Sequence, residues 1–274
     1  MSGHYDPIHQ AHALEQVVFV AQLNQQAGPE SFQSILESVK QIPESEFPGR
    51  TEIQSISFIV GTPSAQPKPT TSAGAHGKAL FHLAPDGRMN RELRVERGSL
   101  TFSTQLYTRW SQVWTEAKKY FDQLLPLYLA DCKLTSLSIS VIDRFVWVGL
   151  PKDASPALLL RAGSKYIAPH VYTASDLWHS HTGVFSNVDI HAKRLLNINA
   201  DNVDEIAADR LRRSIVFATV LTDLFGQPGY EPLDISAANV SALVDKHMQD
   251  MHLLGKKVLG DMINNEMGKR IALV

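Results

Sequence analysis

One cysteine, Cys132, stands in a chain of 274 residues. A lone thiol forms no intramolecular disulfide and no thiolate metal site, which excludes disulfide-stapled scaffolds and zinc ribbons. Long apolar runs are also missing. None approaches the roughly 20 residues that a helix needs to cross a bilayer. The opening MSGHYDPIHQ lacks the basic and apolar regions of a signal peptide. Charge of either sign is not in excess: 26 Lys and Arg face 28 Asp and Glu, a net −2, so no electrostatic case exists for a nucleic-acid or membrane surface. These absences imply a cytoplasmic protein with no membrane or nucleic-acid partner. Catalytic signatures are scarce as well. There is no Gly-x-Ser-x-Gly elbow and no acidic cluster at metal-binding spacing. The segment around His76-Gly77-Lys78 has Ser72 and Ala79 where a phosphate loop needs its first glycine and its Ser or Thr. Asn239-Val240-Ser241 fits a glycosylation acceptor, but without a secretory signal the pattern carries no meaning.

What is present suffices for a sizeable core. Apolar residues make up 44% of the chain and charged residues 20%, ordinary for a globular protein of one large or two small domains. The stretch Lys133 to Gly149, KLTSLSISVIDRFVWVG, has no proline or internal glycine and is rich in β-branched and aromatic residues. Leu137, Ile139, Val141, Asp143, Phe145 and Trp147 alternate with Ser138, Ser140, Ile142, Arg144, Val146 and Val148. A strand apolar on one side and mixed on the other sits inside a sheet with one face on the core.

Taken in order, residues 1–13 are polar and read as a surface arm. Leu14 to Leu23 is a strand that Gly28-Pro29 separates from an amphipathic helix, Glu30 to Gln41. Glu52 to Val60 is a second strand. Thr62 to Lys78, rich in Pro and Gly, reads as a long flexible loop. Ala79 to Leu83, Arg91 to Glu96 and Leu100 to Leu106 form a meander with turns at Pro85-Asp86-Gly87 and Arg97-Gly98. Thr108 to Ala130 is a helix that Pro126 kinks or stops near its end. After the central strand, Leu158 to Arg161 fits either a short strand or a helical turn. Asp176 to Phe185 and Val188 to Asn199 form a hairpin, and Arg213 to Leu224 is a further strand. A final helix, N-capped by Ser236, keeps apolar spacing to about Met267 through Gly255 and Gly260. The methionines on it, Met248, Met251, Met262 and Met267, read as core filler. Strand meanders separated by helices imply an α+β fold with largely antiparallel sheet and two long amphipathic helices. The order also suggests two similar halves, 1–132 and 133–274, packed as one unit.

Four stretches carry a family resemblance: Glu15 ahead of VVFVAQL, Ser99 to Trp110 (SLTFSTQLYTRW), Leu137 to Phe145 (LSISVIDRF), and the long helix His247 to Met262. In this order the chain resembles the sporadically distributed, uncharacterised bacterial protein family that carries only a TIGR-type name. Asp143 stands where the family strand has Asn, and Ser140-Val141 where it usually has Arg-Tyr. The resemblance implies no activity or cofactor. The family's patchy occurrence resembles that of cargo in mobile or defence loci.

Two constellations could carry chemistry. His179 and His181 share one strand face. A three-residue hairpin loop would set His191 opposite His181, whereas a two-residue turn would send it to the other face. Three imidazoles on one face would hold a divalent metal with an open position for water; the simpler reading is an exposed polar face. Asp143 and Arg144 form the second. Arg144 would either fork onto an anionic ligand or pair with a nearby acid, the commoner use of such a charge. Arg88, Arg91, Arg94 and Arg97, interleaved with Glu92 and Glu96 on a strand, read as a solvated face. The favoured function is a non-catalytic protein that binds a ligand or protein partner, without a cofactor, between sheet and helix. The alternative is a metal-dependent hydrolase built on the histidines. A surplus apolar stripe around Val258, Met262 and Ile263 offers a homodimer seam, or else covers the chain's own core.

Overall fold

A computed structural model describes residues 3–54, 56–58, 69–71, 76–207, 210–233 and 235–273. Among the described residues, twelve strands and four α-helices follow one another: β1 (His4–Pro7), β2 (Leu14–Leu23), α1 (Pro29–Lys40), β3 (Gly49–Ile53), β4 (Ile56–Phe58), β5 (Pro69–Thr71), β6 (Gly77–Leu83), β7 (Met89–Glu96), β8 (Ser99–Thr104), α2 (Trp110–Tyr128), β9 (Leu134–Val148), β10 (Trp178–Asn187), β11 (Ala192–Ala207), β12 (Arg210–Phe225), α3 (Val240–Met262) and α4 (Asn265–Arg270). Ten strands join one antiparallel sheet in the order β10-β11-β12-β9-β2-β8-β7-β6-β3, with β1 also on β9; β4 and β5 pair separately. The α+β architecture with an antiparallel sheet is therefore as the strand and helix patterns imply. No helix among the described residues is long and apolar enough to cross a membrane.

β9 lies inside the sheet, between β12 and β2. Its alternation buries Leu137, Ile139, Phe145 and Trp147, while Val141 on the same face is only partly covered. Ser138, Ser140, Ile142, Arg144 and Val146 lie half-buried on the other face. The helices collect on the buried face. α2 leaves β8 through a short connection and packs over that strand, with Trp110 and Trp114 against Phe19 of β2 (ring centroids 5.7 and 5.2 Å) and Tyr120 stacked on Phe102 (5.6 Å). The face of β9 is crossed by α3, which follows β12 and packs on both strands. Trp110 and Trp114 donate their indole N–H groups to Gln249 and Asp245 of α3, both at 2.7 Å, and so tie the two helices.

Several elements differ from the sequence expectation, each for a local reason. The polar arm contains β1, which hydrogen-bonds to the end of β9 and buries Tyr5 against Trp147, centroids 5.0 Å apart. Between β1 and β2 the chain detours through residues 8–13 opposite Arg144, whose backbone takes up both ends of the detour: Ile8 N donates to its carbonyl and its N–H donates to Ala13 O. The expected strand from Glu52 to Val60 is divided between β3 and β4, and β5 and the start of β6 fall inside the expected loop. The rest of that loop lies largely outside the described residues. Leu158 ends a 3-10 turn, and Leu160 bridges Ile263.

The final helix stops at Met262 rather than Met267. Ile263 turns extended (φ −103°, ψ 157°), and the Asn264 side chain accepts from Met267 N to open α4. Val258, Met262 and Ile263, the expected dimer seam, are at 0% exposure in the chain's own core.

Candidate functional site

The detour at residues 8–13 leaves space between sheet and helices. A cavity of about 550 Å³ opens there. Its floor is Val17 of β2, Ile139, Val141 and Asp143 of β9, and Thr219 and Leu221 of β12. The register stacks these residues side by side: Val17 and Thr219 both pair with Val141, and Leu14 pairs with Asp143. The walls come from the start of α2, from Met251, His252, Gly255 and Leu259 of α3, from residues 271–273 and from the detour itself. Gly255 keeps this wall thin, since a Cβ there would sit 3.5 Å from Leu221.

Asp143 is the one acid on the floor. It is 6% exposed, and its carboxyl has no hydrogen-bond or ion-pair partner among the described residues. Burial alone pushes its pKa up to about 7. Four aromatic side chains share the cavity, His12, Tyr107, Trp110 and His252. His12 touches the Tyr107 ring edge-on at 5.2 Å, and its Nδ1 is buried without a hydrogen-bond partner. Burial and then the neighbouring His9 lower the His12 pKa, against hydrogen bonds from its ring to the backbone of Leu14 and Tyr107 that favour its cation. The Tyr107 phenol is raised by burial and then by the Asp143 charge. His252 lies flat on Trp110, centroids 4.0 Å apart and 3° between planes. Burial, then the charge of Lys256, push its pKa down to about 4, so it is neutral near pH 7. Arg109 and Lys256 stand exposed at the rim. The site is an apolar slot with one unpartnered carboxyl in its floor, neutral aromatic donors and acceptors around it, and the cations Arg109 and Lys256 at its rim.

The structure separates the residues singled out in the sequence. Asp143 faces the cavity. Arg144, its neighbour, points to the opposite face, where Nε donates to Glu15 at 2.9 Å and a second nitrogen lies 3.4 Å from Glu205. His179 and His181 do share a face, the one away from the helices; His179 pairs with Asp201, and His181 Nδ1 lies 2.6 Å from Asn199. His191 does not join them. The ladder runs on to Asn187 opposite Lys193, so neither short turn forms and residues 188–191 make the loop. Asp189 Oδ1 holds that loop by accepting from His191 N and Ala192 N, and the His191 ring turns toward Glu231 O at 3.3 Å. Among the described residues no three His, Cys, Asp or Glu are placed to share a metal ion.

A second buried polar cluster escaped the sequence reading. Asp223 of β12, at 0% exposure, takes a two-pronged hydrogen bond from Arg194 (2.5 and 2.7 Å) and lies 2.7 Å from His247 Nδ1 of α3. Strand pairing sets Arg194 directly opposite Asp223, and no local pattern in RSIVFATVLTDL announces it. It pins α3 to the sheet. His12, Tyr107 and His252 were equally silent in sequence, since each comes from a different element.

No protein-family model and no curated protein matches the chain.

Proposed function

We propose that the protein is a non-catalytic binding protein whose ligand is a small, largely apolar molecule seated in the cavity between β2, β9, β12 and α3. The observation that carries this reading is Asp143. A carboxyl buried without a partner costs stability, about 1–3 kcal/mol even for a neutral group, and such a cost is retained where a ligand supplies the missing partner. The size of the cavity and its apolar lining with a few convergent polar groups match small-molecule sites. Support for two similar halves comes from the topology. In each, one long strand (β2 or β9) has the last strand of the half (β8 or β12) at its side, and a long helix follows. The cavity then lies at the seam where β2 and β9 pair. The hydrolase alternative has no comparable support, because His191 stands apart from His179 and His181.

A dye-binding titration tests the reading. An uncharged apolar reporter such as Nile red is expected to bind one site close to Trp110 and quench its fluorescence. Gly255→Leu, which fills the slot from α3, is expected to abolish this. Binding that Gly255→Leu leaves intact would place the ligand site elsewhere.

A further inference from the structure

Resting on the cavity reading above, we infer that the ligand carries an amine, whose ammonium group pairs with Asp143 at the cavity floor while its apolar body lies along Val17, Ile139, Leu221 and Met251. Four features of the site favour this chemistry. Among the described residues the carboxyl is the single acidic group of the lining, so a cation that passes Arg109 and Lys256 at the rim has one place to go. It is 6% exposed and unpartnered, and an ammonium donates three hydrogen bonds to acceptors of this kind. An anionic head would gain at most one hydrogen bond, from the protonated acid, and would be repelled once the acid ionises. A purely apolar ligand would leave the carboxyl desolvated and unsatisfied, at a cost in affinity.

Charge balance sets a further condition. With the cavity empty, burial keeps the carboxyl protonated over much of the neutral range. Binding an ammonium then expels that proton: the acid becomes a carboxylate paired with the cation, and one proton passes to buffer. The other titratable groups on the cavity are His12 from the detour, Tyr107 before α2, Arg109 at its start, and His252 and Lys256 from α3. Comparison with an Asp143 variant separates their contributions from that of Asp143.

Isothermal titration with three probes of one shape tests the inference: 2-phenylethylamine, 2-phenylethanol and 3-phenylpropanoate. At about pH 8, where more than half of Asp143 is ionised, the amine is expected to bind wild type at least about tenfold tighter than the alcohol, with the propanoate weakest. Asp143→Asn is expected to bring the amine to parity with the alcohol, and a cooperative melting transition shows that the variant is folded; Asp143→Ser serves as a second variant. Wild-type affinity for the amine is expected to fall toward about pH 5.5, with proton release seen as a dependence of the apparent heat on buffer ionisation, and the Asn variant to show neither. An alcohol that binds as well as the amine, or an amine advantage that survives Asp143→Asn, overturns amine recognition and leaves cavity binding standing. If none of the three binds, cavity binding fails and the amine inference with it.

Discussion

At the scale of single residues, two buried acids have opposite effects on stability. Asp143 has its pKa raised to about 7 by burial, against about 3.9 for an unfolded aspartate. Between those values the folded chain holds a proton that the unfolded chain releases. Stability from this group is therefore full below about pH 4, falls as pH rises toward 7, and is flat above. The full difference is on the order of 4 kcal/mol. Urea unfolding of wild type and Asp143→Asn is expected to show the variant gaining about that much relative to wild type between pH 4 and pH 8. A constant difference across pH would mean that Asp143 is not buried as described. For Asp223, burial works to raise the pKa, but the hydrogen bonds and charges of Arg194 and His247 outweigh it and hold the carboxyl below its ordinary range. Its contribution is present above the unfolded pKa and lost as pH falls through the depressed one. Asp223→Ala leaves Arg194 charged and buried, and is expected to cost about 3–5 kcal/mol near neutral pH, read as a lower urea midpoint. Arg194 was not singled out in the sequence, because its partner lies across a strand pair.

At the scale of elements, α3 and the β10–β11 hairpin show what periodicity conveys. The apolar spacing of α3 is plain from Val240 onward, and the helix runs through Gly255 and Gly260 because packing on β9 and β12 holds it. Gly255→Ala is expected to raise the thermal midpoint, since alanine gains up to about 1 kcal/mol in a helix interior and its Cβ meets Leu221 at an ordinary 3.5 Å. A drop would mean that the cavity wall cannot take a methyl group. On β9, Phe145→Ala is expected to cost about 3–5 kcal/mol in urea unfolding, because the ring is fully buried against Phe217 at 5.9 Å. The hairpin was visible as two alternating runs, but its loop was not. Loop length depends on where the ladder stops, and the Asp189 turn decided that.

At the scale of the whole molecule, the core is one hydrophobic cluster that extends across the junction at residue 133, from Phe19 and Phe102 to Phe217 and Met248. Met262 and Ile263 belong to it. Met262→Glu with Ile263→Lys is therefore expected to unfold the chain, seen as loss of the cooperative melting transition, rather than to split a dimer. A folded double variant would place these side chains outside the core.

Periodicity determined the strands β2, β7, β8 and β9, the helices α1 and α2 and the start of α3, because alternation and helical spacing are properties of neighbouring residues. It also placed Asp143 on the apolar face of β9, although the reading of that pair as a site rested on Arg144, which the structure turns to the other face. Tertiary structure alone decided what surrounds it. β1 formed from a polar segment because β9 extends past β2 and leaves backbone groups to be paired. The detour that follows brought His12 to its cavity, the link from β8 to α2 brought Tyr107, and α3 brought His252. Pairing between strands and packing between layers join residues far apart in the chain, and no local pattern encodes those distances.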